Sequence, residues 1–215
     1  MFVIGGEADA DLNDVWAFNF QRYEWCKPDI NGGHNFSPKR FHTATTIDTS
    51  KIITFGGCFS EYLHVNDLNL FDLKDFWTIR QITCTKIDVR DNAPETRWGH
   101  TAVAKANLLF VLGGRNDSDL SDMHCFDLEQ RQWKKVCFGS QDYVPKARRR
   151  HSCVLIESCM ITFGGFDGEF FNDLNILDLK GKQKGSIDLP VSTLNFDFCC
   201  LFDTEDCDIT FELQF

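Results

Sequence analysis

The residues best suited to chemistry in this sequence are its six histidines and ten cysteines. Three of the histidines follow a basic residue at one fixed spacing: Lys39-x-x-His42, Arg97-x-x-His100 and Arg148-x-x-His151. Histidine can act as a general base or as a metal ligand near neutral pH. A catalytic site does not recur along one chain at a regular interval, whereas a structural contact does. We therefore interpret the three basic–histidine pairs as structural, tying loop backbone together through hydrogen bonds.

The remaining candidates give no signature of catalysis or metal binding. No two cysteines are spaced Cys-x-x-Cys, the spacing from which zinc sites are commonly built. The chain has no Gly-x-Ser-x-Gly or His-Glu-x-x-His motif and no phosphate-binding glycine loop. We predict that the protein is not an enzyme and needs no cofactor or metal. Because the first residues lack the basic region of a secretory leader, we expect reduced cysteines and a cytoplasmic location.

Composition and charge narrow the class of partner. The chain of 215 residues is 43% hydrophobic, with 21 Phe and only 5 Pro, which favours a globular and strand-rich fold. The formal net charge of −10 is concentrated in residues 1–14 and 185–215, which contain acids but no Lys or Arg. The rest of the chain is balanced and has no basic stripe. We therefore exclude nucleic acid as a partner, and no apolar run is long enough for membrane insertion.

The basic–histidine pairs belong to a longer repeat in the sequence. Four Gly-Gly pairs, each after an apolar run, recur at intervals of 51 to 57 residues: Gly5-Gly6, Gly56-Gly57, Gly113-Gly114 and Gly164-Gly165. An aspartate follows each pair by eight or ten residues: Asp14, Asp67, Asp122 and Asp173. A tryptophan comes near the end of three units: Trp25, Trp77 and Trp133. We expect the tryptophans to present a flat surface to the next unit, with each indole N–H bonded to a carbonyl.

Each unit also contains four short apolar or alternating runs separated by turn residues. In the second unit these runs are residues 43–47, 52–55, 68–71 and 76–82, which predicts four strands. A four-stranded unit of about this length cannot bury both of its faces alone, so it must stack against its neighbours.

This combination of markers resembles the kelch repeat over about residues 1–190. The resemblance implies an all-β fold of four-stranded antiparallel blades arranged as a β-propeller, with units at residues 1–35, 36–92, 93–143 and 144–190. The first unit lacks its opening strand, so we expect an incomplete propeller. Either sequence outside this chain supplies further blades, or residues 194–198 close a four-bladed ring onto the first unit.

The last residues, 203–215, belong to no repeat. Their alternation predicts a half-buried strand or an amphipathic tail. They also resemble the opening of a BTB (POZ) domain, as in the kelch–BTB leucine-zipper-like regulators, so residues 191–215 would be a closing strand or linker plus the start of that domain. The resemblance implies the substrate-recognition part of a cullin-3-type ubiquitin ligase adaptor. The alternative is a stand-alone kelch scaffold, such as a GTPase effector or a cytoskeleton-linked protein.

The expected function is protein binding at one rim of the propeller, where the loops vary while the framework repeats. Two of these loops combine aromatic side chains with charge, which is typical of binding hot spots. We predict the partner-binding residues to be Phe59, Tyr62, His64, Arg115, Phe166, Asp167, Glu169 and Phe170. Some of these phenylalanines could instead pack into the next blade. Arg115 is expected to pair with an acidic partner residue, whereas Arg149 and Arg150 are expected to form a solvated connection.

Overall fold

The computed structural model describes residues 1–32, 36–60, 63–89, 92–138, 145–179 and 188–189. These residues are mostly in β-strands, and their main sheets follow the repeat units one by one, so the predicted all-β fold is confirmed. Residues 194–198 and 203–215, on which ring closure and the BTB resemblance depend, lie outside the described residues. Within the described residues no helix is long and apolar enough to span a membrane.

The first two units form neighbouring sheets. The first is an antiparallel sheet of β1 (Phe2–Glu7), β2 (Asp11–Asn19) and β3 (Glu24–Cys26). The second unit contains β4 (Asp29–Asn31), β5 (Thr43–Asp48), β6 (Lys51–Phe55), β7 (Cys58–Phe59), β8 (Leu63–His64), β9 (Leu68–Asp72), α1 (Phe76–Ile79) and β10 (Gln81–Lys86). Its strand order is β4-β10-β9-β6-β5, and β7 and β8 form a separate hairpin. The strand β4 falls within the predicted first unit, yet it pairs in parallel with β10.

The third and fourth units repeat the pattern. The third is a four-stranded antiparallel sheet of β11 (Thr101–Lys105), β12 (Leu108–Leu112), β13 (Met123–Asp127) and β14 (Gln132–Lys135), followed by β15 (Cys137–Phe138). The fourth contains β16 (Ser152–Ile156), β17 (Cys159–Phe163) and β18 (Leu174–Asp178), and β19 (Asp188–Leu189) pairs in parallel with β15.

The predicted strand over residues 76–82 is wrong in its first half. A single helical turn, α1, stands there, and the strand β10 begins only at Gln81. Arg80 adopts a left-handed conformation with φ of 57°, which ends the turn and redirects the chain into the sheet. Of the helical side chains only Phe76 is buried, so Trp77 lies in solvent rather than between two blades. A short apolar run does not by itself distinguish a strand from a helical turn.

Neighbouring sheets pack face to face, and burial at a given repeat position depends on whether a neighbour covers it. The residue two before each Gly-Gly pair illustrates this, because Thr54, Val111 and Thr162 are at most 3% exposed while Val3 is 42% exposed. Blade faces of the second and third units meet in one apolar cluster, and those of the third and fourth meet in another. In the described part of the chain, the first unit buries the face that it turns to the second unit.

The repeated tryptophan is buried between two blades in the third unit, where a preceding blade packs against it. Trp133 is buried, with its ring centroid 5.0 Å from Phe55 of the preceding blade and 5.1 Å from Phe126 of its own. Its Nε1 is buried without an acceptor among the described residues, so the expected bond to a carbonyl does not form there. Trp25, at the same repeat position in the first unit, is half exposed.

We expect Gly114→Ala to destabilise the protein much more than Gly6→Ala, although the two glycines occupy the same repeat position. Both have positive φ, 97° and 113°, which a Cβ disfavours by roughly 1–2 kcal/mol. At Gly114 the Cβ would also lie 2.8 Å from His100 Cβ and 2.9 Å from the carbonyl oxygen of Trp98, whereas at Gly6 nothing lies within 4 Å. Such overlap adds about 1–3 kcal/mol. Urea denaturation of the two variants measures the difference, and equal losses of stability would contradict the predicted overlap.

Candidate partner-binding surface

The repeated basic residues fix the connections between blades. Arg97 is fully buried, and its guanidinium donates to both carboxylate oxygens of Asp122 at 2.6 and 3.0 Å and to the carbonyl of Gly113 at 3.1 Å. Arg148 bonds Asp173 at 2.7 Å twice and Gly164 O at 2.9 Å. The structural role predicted for the basic residues is therefore confirmed.

The backbone of the same residues binds the preceding blade. The N–H of Gly57 donates to Arg97 O at 2.8 Å, and the N–H of Arg97 donates to Val65 O at 3.2 Å. The third junction repeats these bonds, from Gly114 to Arg148 O at 2.8 Å and from Arg148 to Leu120 O at 3.0 Å. Each basic residue thus joins two blades, with its side chain in one and its backbone on the other.

The histidine of each marker completes the junction. His100 Nε2 lies 3.0 Å from Thr43 Oγ1 of the preceding blade, and His151 Nε2 lies 2.7 Å from Thr101 Oγ1. Burial lowers the pKa of His100 to about 3, and burial together with the nearby Arg148 charge lowers the pKa of His151 to about 4. Burial also lowers the pKa of His42 to about 4. These imidazoles are neutral at physiological pH.

The residue after each basic marker lies on the rim formed by the loops. It forms an antiparallel bridge with the residue that follows the Gly-Gly pair of its own unit, and the bridges are Arg40 with Cys58, Trp98 with Arg115 and Arg149 with Phe166. The connections and the loops between the second and third strands therefore form one surface at one end of the blades.

Six side chains on this surface form a continuous stack, which we call the aromatic–arginine ladder: Phe41, Trp98, Arg149, Arg150, Phe166 and Phe170. The Arg150 guanidinium lies 5.0 Å from the Phe41 ring centroid and 5.4 Å from that of Trp98. Arg149 in turn lies 5.7 Å from Trp98 and 4.7 Å from Phe166. Both guanidinium groups therefore have aromatic cation–π partners. Arg150 is exposed, as expected for a solvated connection, whereas Arg149 is partly buried and bonds Asp119.

The charges on this surface are distributed unevenly. Arg149 donates to both oxygens of Asp119 at 2.5 and 2.6 Å, and Arg115 donates to the same carboxylate at 3.0 Å. Arg40 pairs with Glu7 and Asp11. Among the described residues Arg150 has no acidic partner. The ladder therefore carries an uncommitted positive charge at Arg150, beside Phe41 and Trp98.

The structure brings together some of the predicted site residues. The ring centroids of Phe166 and Phe170 lie 4.9 Å apart with the ring planes tilted by 59°, and Phe170 is 88% exposed. His64 lies 6.3 Å from Trp98, so the second-unit loop reaches the ladder. Asp167 accepts a bond from the Glu169 N–H at 3.3 Å within the same loop tip.

Two predicted residues differ from that group, and one cannot be placed. Phe59 lies on β7, is 36% exposed and makes no ladder contact among the described residues. Arg115 bonds Asp119 of its own loop, so the acid expected from a partner is already supplied by this chain. Tyr62 lies outside the described residues.

Sequence reasoning did not single out three members of the ladder as binding residues, namely Phe41, Trp98 and Arg150. The available signal was positional, since each of them lies one or two residues after a repeated basic marker. Four members of the ladder, Arg149, Arg150, Phe166 and Phe170, line a cavity of about 370 Å³ together with neighbouring residues. Among the described residues no group of three His, Cys, Asp or Glu side chains converges on a point that could hold a metal ion.

Comparison with known proteins gives a consistent family. Residues 1–165 match the KLHDC2/KLHL20/DRC7 Kelch-repeats domain. The leucine-zipper-like transcriptional regulator 1 homolog of Drosophila melanogaster is 31% identical over 212 residues, which are 96% of this chain and 21% of that protein. Kelch domain-containing protein 10 of Homo sapiens is 27% identical over 85% of this chain and 42% of its own length. The acyl-CoA-binding domain-containing protein 5 of Arabidopsis thaliana is 29% identical over 88% of this chain. The chain spans less than half the length of each of these relatives.

Proposed function

The chain belongs to the kelch-repeat family, and on that premise we propose that it binds a protein partner through the aromatic–arginine ladder. Kelch repeats are interaction modules that are generally not enzymes, and we propose no catalytic role for this chain. The observation that supports the ladder is the stack of Arg149 and Arg150 between three aromatic rings on one exposed rim. Aromatic and arginine side chains held rigid in this way lose little entropy on binding and dominate interface energetics.

The charge pattern of the rim favours a partner surface of mixed charge. Arg150 offers a fixed guanidinium at the ladder, while Asp117, Asp167 and Glu169 are exposed at the loop tips around it. A partner that places an acidic group over Arg150 and basic groups near the loop tips would match both features.

We expect Arg150→Glu to abolish most partner binding, whereas Arg131→Glu leaves it unchanged. The two arginines are a matched pair, because both are exposed and both have positive φ, 56° and 54°. Arg131 lies in the turn between β13 and β14, at the end of the blade away from the ladder. Loss of a hot spot costs about 2 kcal/mol or more, which corresponds to a decrease in affinity of roughly 30-fold.

The measurement is quantitative proximity labelling in cells, followed by titration of the strongest candidate against both purified variants. If the amount of labelled partner falls for Arg150→Glu but not for Arg131→Glu, the result supports the ladder as the binding surface. Equal recovery for the two variants would show that the partner binds elsewhere.

The more specific proposal is that the chain recognises substrates for a cullin-3-type ubiquitin ligase, as part of a longer kelch–BTB adaptor in the cytoplasm. Its support is the similarity to a relative named as a leucine-zipper-like regulator, which extends over 96% of this chain. If the proposal holds, the half-life of a ladder-dependent partner lengthens after cullin-3 depletion. A partner whose half-life does not change would instead favour the stand-alone scaffold.

A further inference from the structure

The outer strand of the third blade has a free edge where that of the second blade is covered. In the second unit the short strand β4 pairs in parallel with the outer strand β10, in the register Asp29 to Gln81 and Ile30 to Ile82. The sheet of the third unit has the order β11-β12-β13-β14, so among the described strands β14 has a neighbour on one side only. An edge strand of this kind presents unpaired N–H and C=O groups to which a further strand can add.

The segment that would cover this edge by analogy with the other units does not form a strand. The strand β4 begins four residues after Trp25, whose equivalent in the second unit is Cys84, because their cross-strand partners Phe18 and Phe71 occupy one repeat position. In the third unit β15 likewise begins four residues after the tryptophan, and it pairs in parallel with β19. The equivalent residues of the second unit, 88–89, belong to no strand. The described part of the chain therefore leaves the outer edge of β14 unpaired.

The free hydrogen-bonding groups of this edge belong to Trp133 and Lys135. The N–H of Val136 donates to Met123 O at 2.8 Å, so the backbone groups of Val136 point toward β13. In an antiparallel pair the backbone groups of alternate residues point to the same side. Lys134 therefore also points toward β13, whereas Trp133 and Lys135 direct their N–H and C=O groups to the free edge.

A cavity beside β14 leaves room for a further strand. Its volume is about 490 Å³, and it is lined by residues 132–135 together with Asn92, Ala93 and His124. Two residues of its wall also contain buried nitrogens that have no hydrogen-bond partner among the described residues, Trp133 Nε1 and His124 Nδ1. Both the backbone edge and the wall beside it are thus incompletely paired.

The charge along this edge is positive. Lys134 and Lys135 follow Trp133 directly, and successive side chains of a strand point to opposite faces. Within the described ranges the lysines that form ion pairs are Lys39, Lys51 and Lys74, so neither lysine of β14 has an acidic partner. A parallel segment with an apolar residue beside Trp133 and two acids after it would match the apolar ring and both charges.

We propose that the outer edge of β14 is a docking site for an extended segment of a protein partner, of the pattern apolar-acidic-acidic, which adds to the third blade as a parallel fifth strand. Backbone pairing with Trp133 and Lys135 provides the affinity, and acids beside the two lysines provide the specificity. The site shares no residue with the aromatic–arginine ladder and does not depend on the function proposed for the ladder.

The test titrates the whole 215-residue chain with the acetylated and amidated peptide Thr-Thr-Ile-Asp-Glu-Thr-Thr. We expect Lys135→Glu to weaken binding about fivefold or more, and Lys86→Glu to change it less than about twofold. The two lysines are a matched pair, because both are exposed and Asn69 pairs with Lys86 just as His124 pairs with Lys135. The peptide Thr-Thr-Ile-Asn-Gln-Thr-Thr, which lacks the acids, should not distinguish Lys135→Glu from the unaltered chain. Calorimetry measures the affinities, and thermal melting checks that both protein variants remain folded.

Amide hydrogen exchange locates the bound peptide residue by residue. We expect the amides of Trp133 and Lys135 to exchange quickly in the free chain and slowly with peptide bound, while the amide of Lys134 is protected in both states. The proposal is overturned by no binding at millimolar peptide, by equal weakening in the two lysine variants, or by protection away from β14. It is also overturned if Trp133 and Lys135 are already protected in the free chain, since another segment of this chain would then cover the edge.

Discussion

Replacing Arg97 by alanine is expected to lower the free energy of unfolding by about 3–5 kcal/mol, the range for removing one partner of a buried ion pair. The side chain is fully buried, and the change leaves Asp122 without the two hydrogen bonds that Arg97 donates to its carboxylate. Burial alone raises the pKa of Asp122, but hydrogen bonds from His124 and Arg97 outweigh it and hold that pKa well below the usual range. Without Arg97 the half-buried carboxylate must remain charged with poorer compensation or bind a proton.

Arg115→Ala is the matched control, because Arg115 also bonds an aspartate but is about one-third exposed. Surface pairs of this kind contribute about 0–1 kcal/mol. Arg97→Lys keeps a positive charge at this repeat position, where the second unit has Lys39 bonded to Asp67. This variant is a milder change that can be measured if the alanine variant does not fold. Chemical denaturation measures all three. If Arg97→Ala costs no more than Arg115→Ala, the buried junction does not stabilise the fold as argued.

The stability of the protein is expected to fall steeply as the pH decreases from about 6.5 to 5. The pKa values of His42, His100 and His151 are lowered by burial to about 4, 3 and 4. An unfolded histidine has a pKa of about 6.5. The excess of protons bound by the unfolded chain therefore grows from about one and a half at pH 6.5 to nearly three at pH 5. Each such proton changes the free energy of unfolding by about 1.4 kcal/mol per pH unit, and three give roughly 4 kcal/mol per unit near pH 5.

The sign follows from linkage, since stability rises with pH wherever the unfolded state binds more protons. The three histidines therefore stabilise the fold above pH 6.5, and their contribution is lost as the pH approaches their folded values. Urea denaturation at half-unit pH intervals measures how the free energy of unfolding changes with pH. His100→Gln should lower this slope near pH 5 by the contribution of about one proton, or roughly 1.4 kcal/mol per pH unit. A flat profile between pH 6.5 and 5 would rule out the proposed neutral, buried imidazoles.

The sequence predicted the fold well wherever a feature repeats in every unit. Gly-Gly pairs, aspartates and basic–histidine markers recur because each unit must make the same turns and the same junction. Contacts that depend on a neighbour were not predictable in this way. Trp25 and Trp133 have the same marker position, yet of the two only Trp133 is buried, because within the described part of the chain a preceding blade packs against its face and none packs against that of Trp25.

The candidate site was predicted in part for a similar reason. The loop tips stood out because their composition varies, so Phe166 and Phe170 were identified. Phe41, Trp98 and Arg150 come from three different units, and only the stacking of the blades brings them within reach of one another. The helical turn α1 was missed because residues 76–82 carry an apolar run that fits either structure until Arg80 is known to adopt positive φ.

The two-sided junction of each basic residue has a consequence for cooperativity. Arg148 binds Asp173 in the fourth blade through its side chain and Gly114 in the third through its carbonyl, so neither blade can open without breaking bonds of the other. Stability in such an array is a sum over single blades and over nearest-neighbour couplings. Because the second and third blades are each coupled on both sides, opening either of them breaks the hydrogen bonds of two junctions at once.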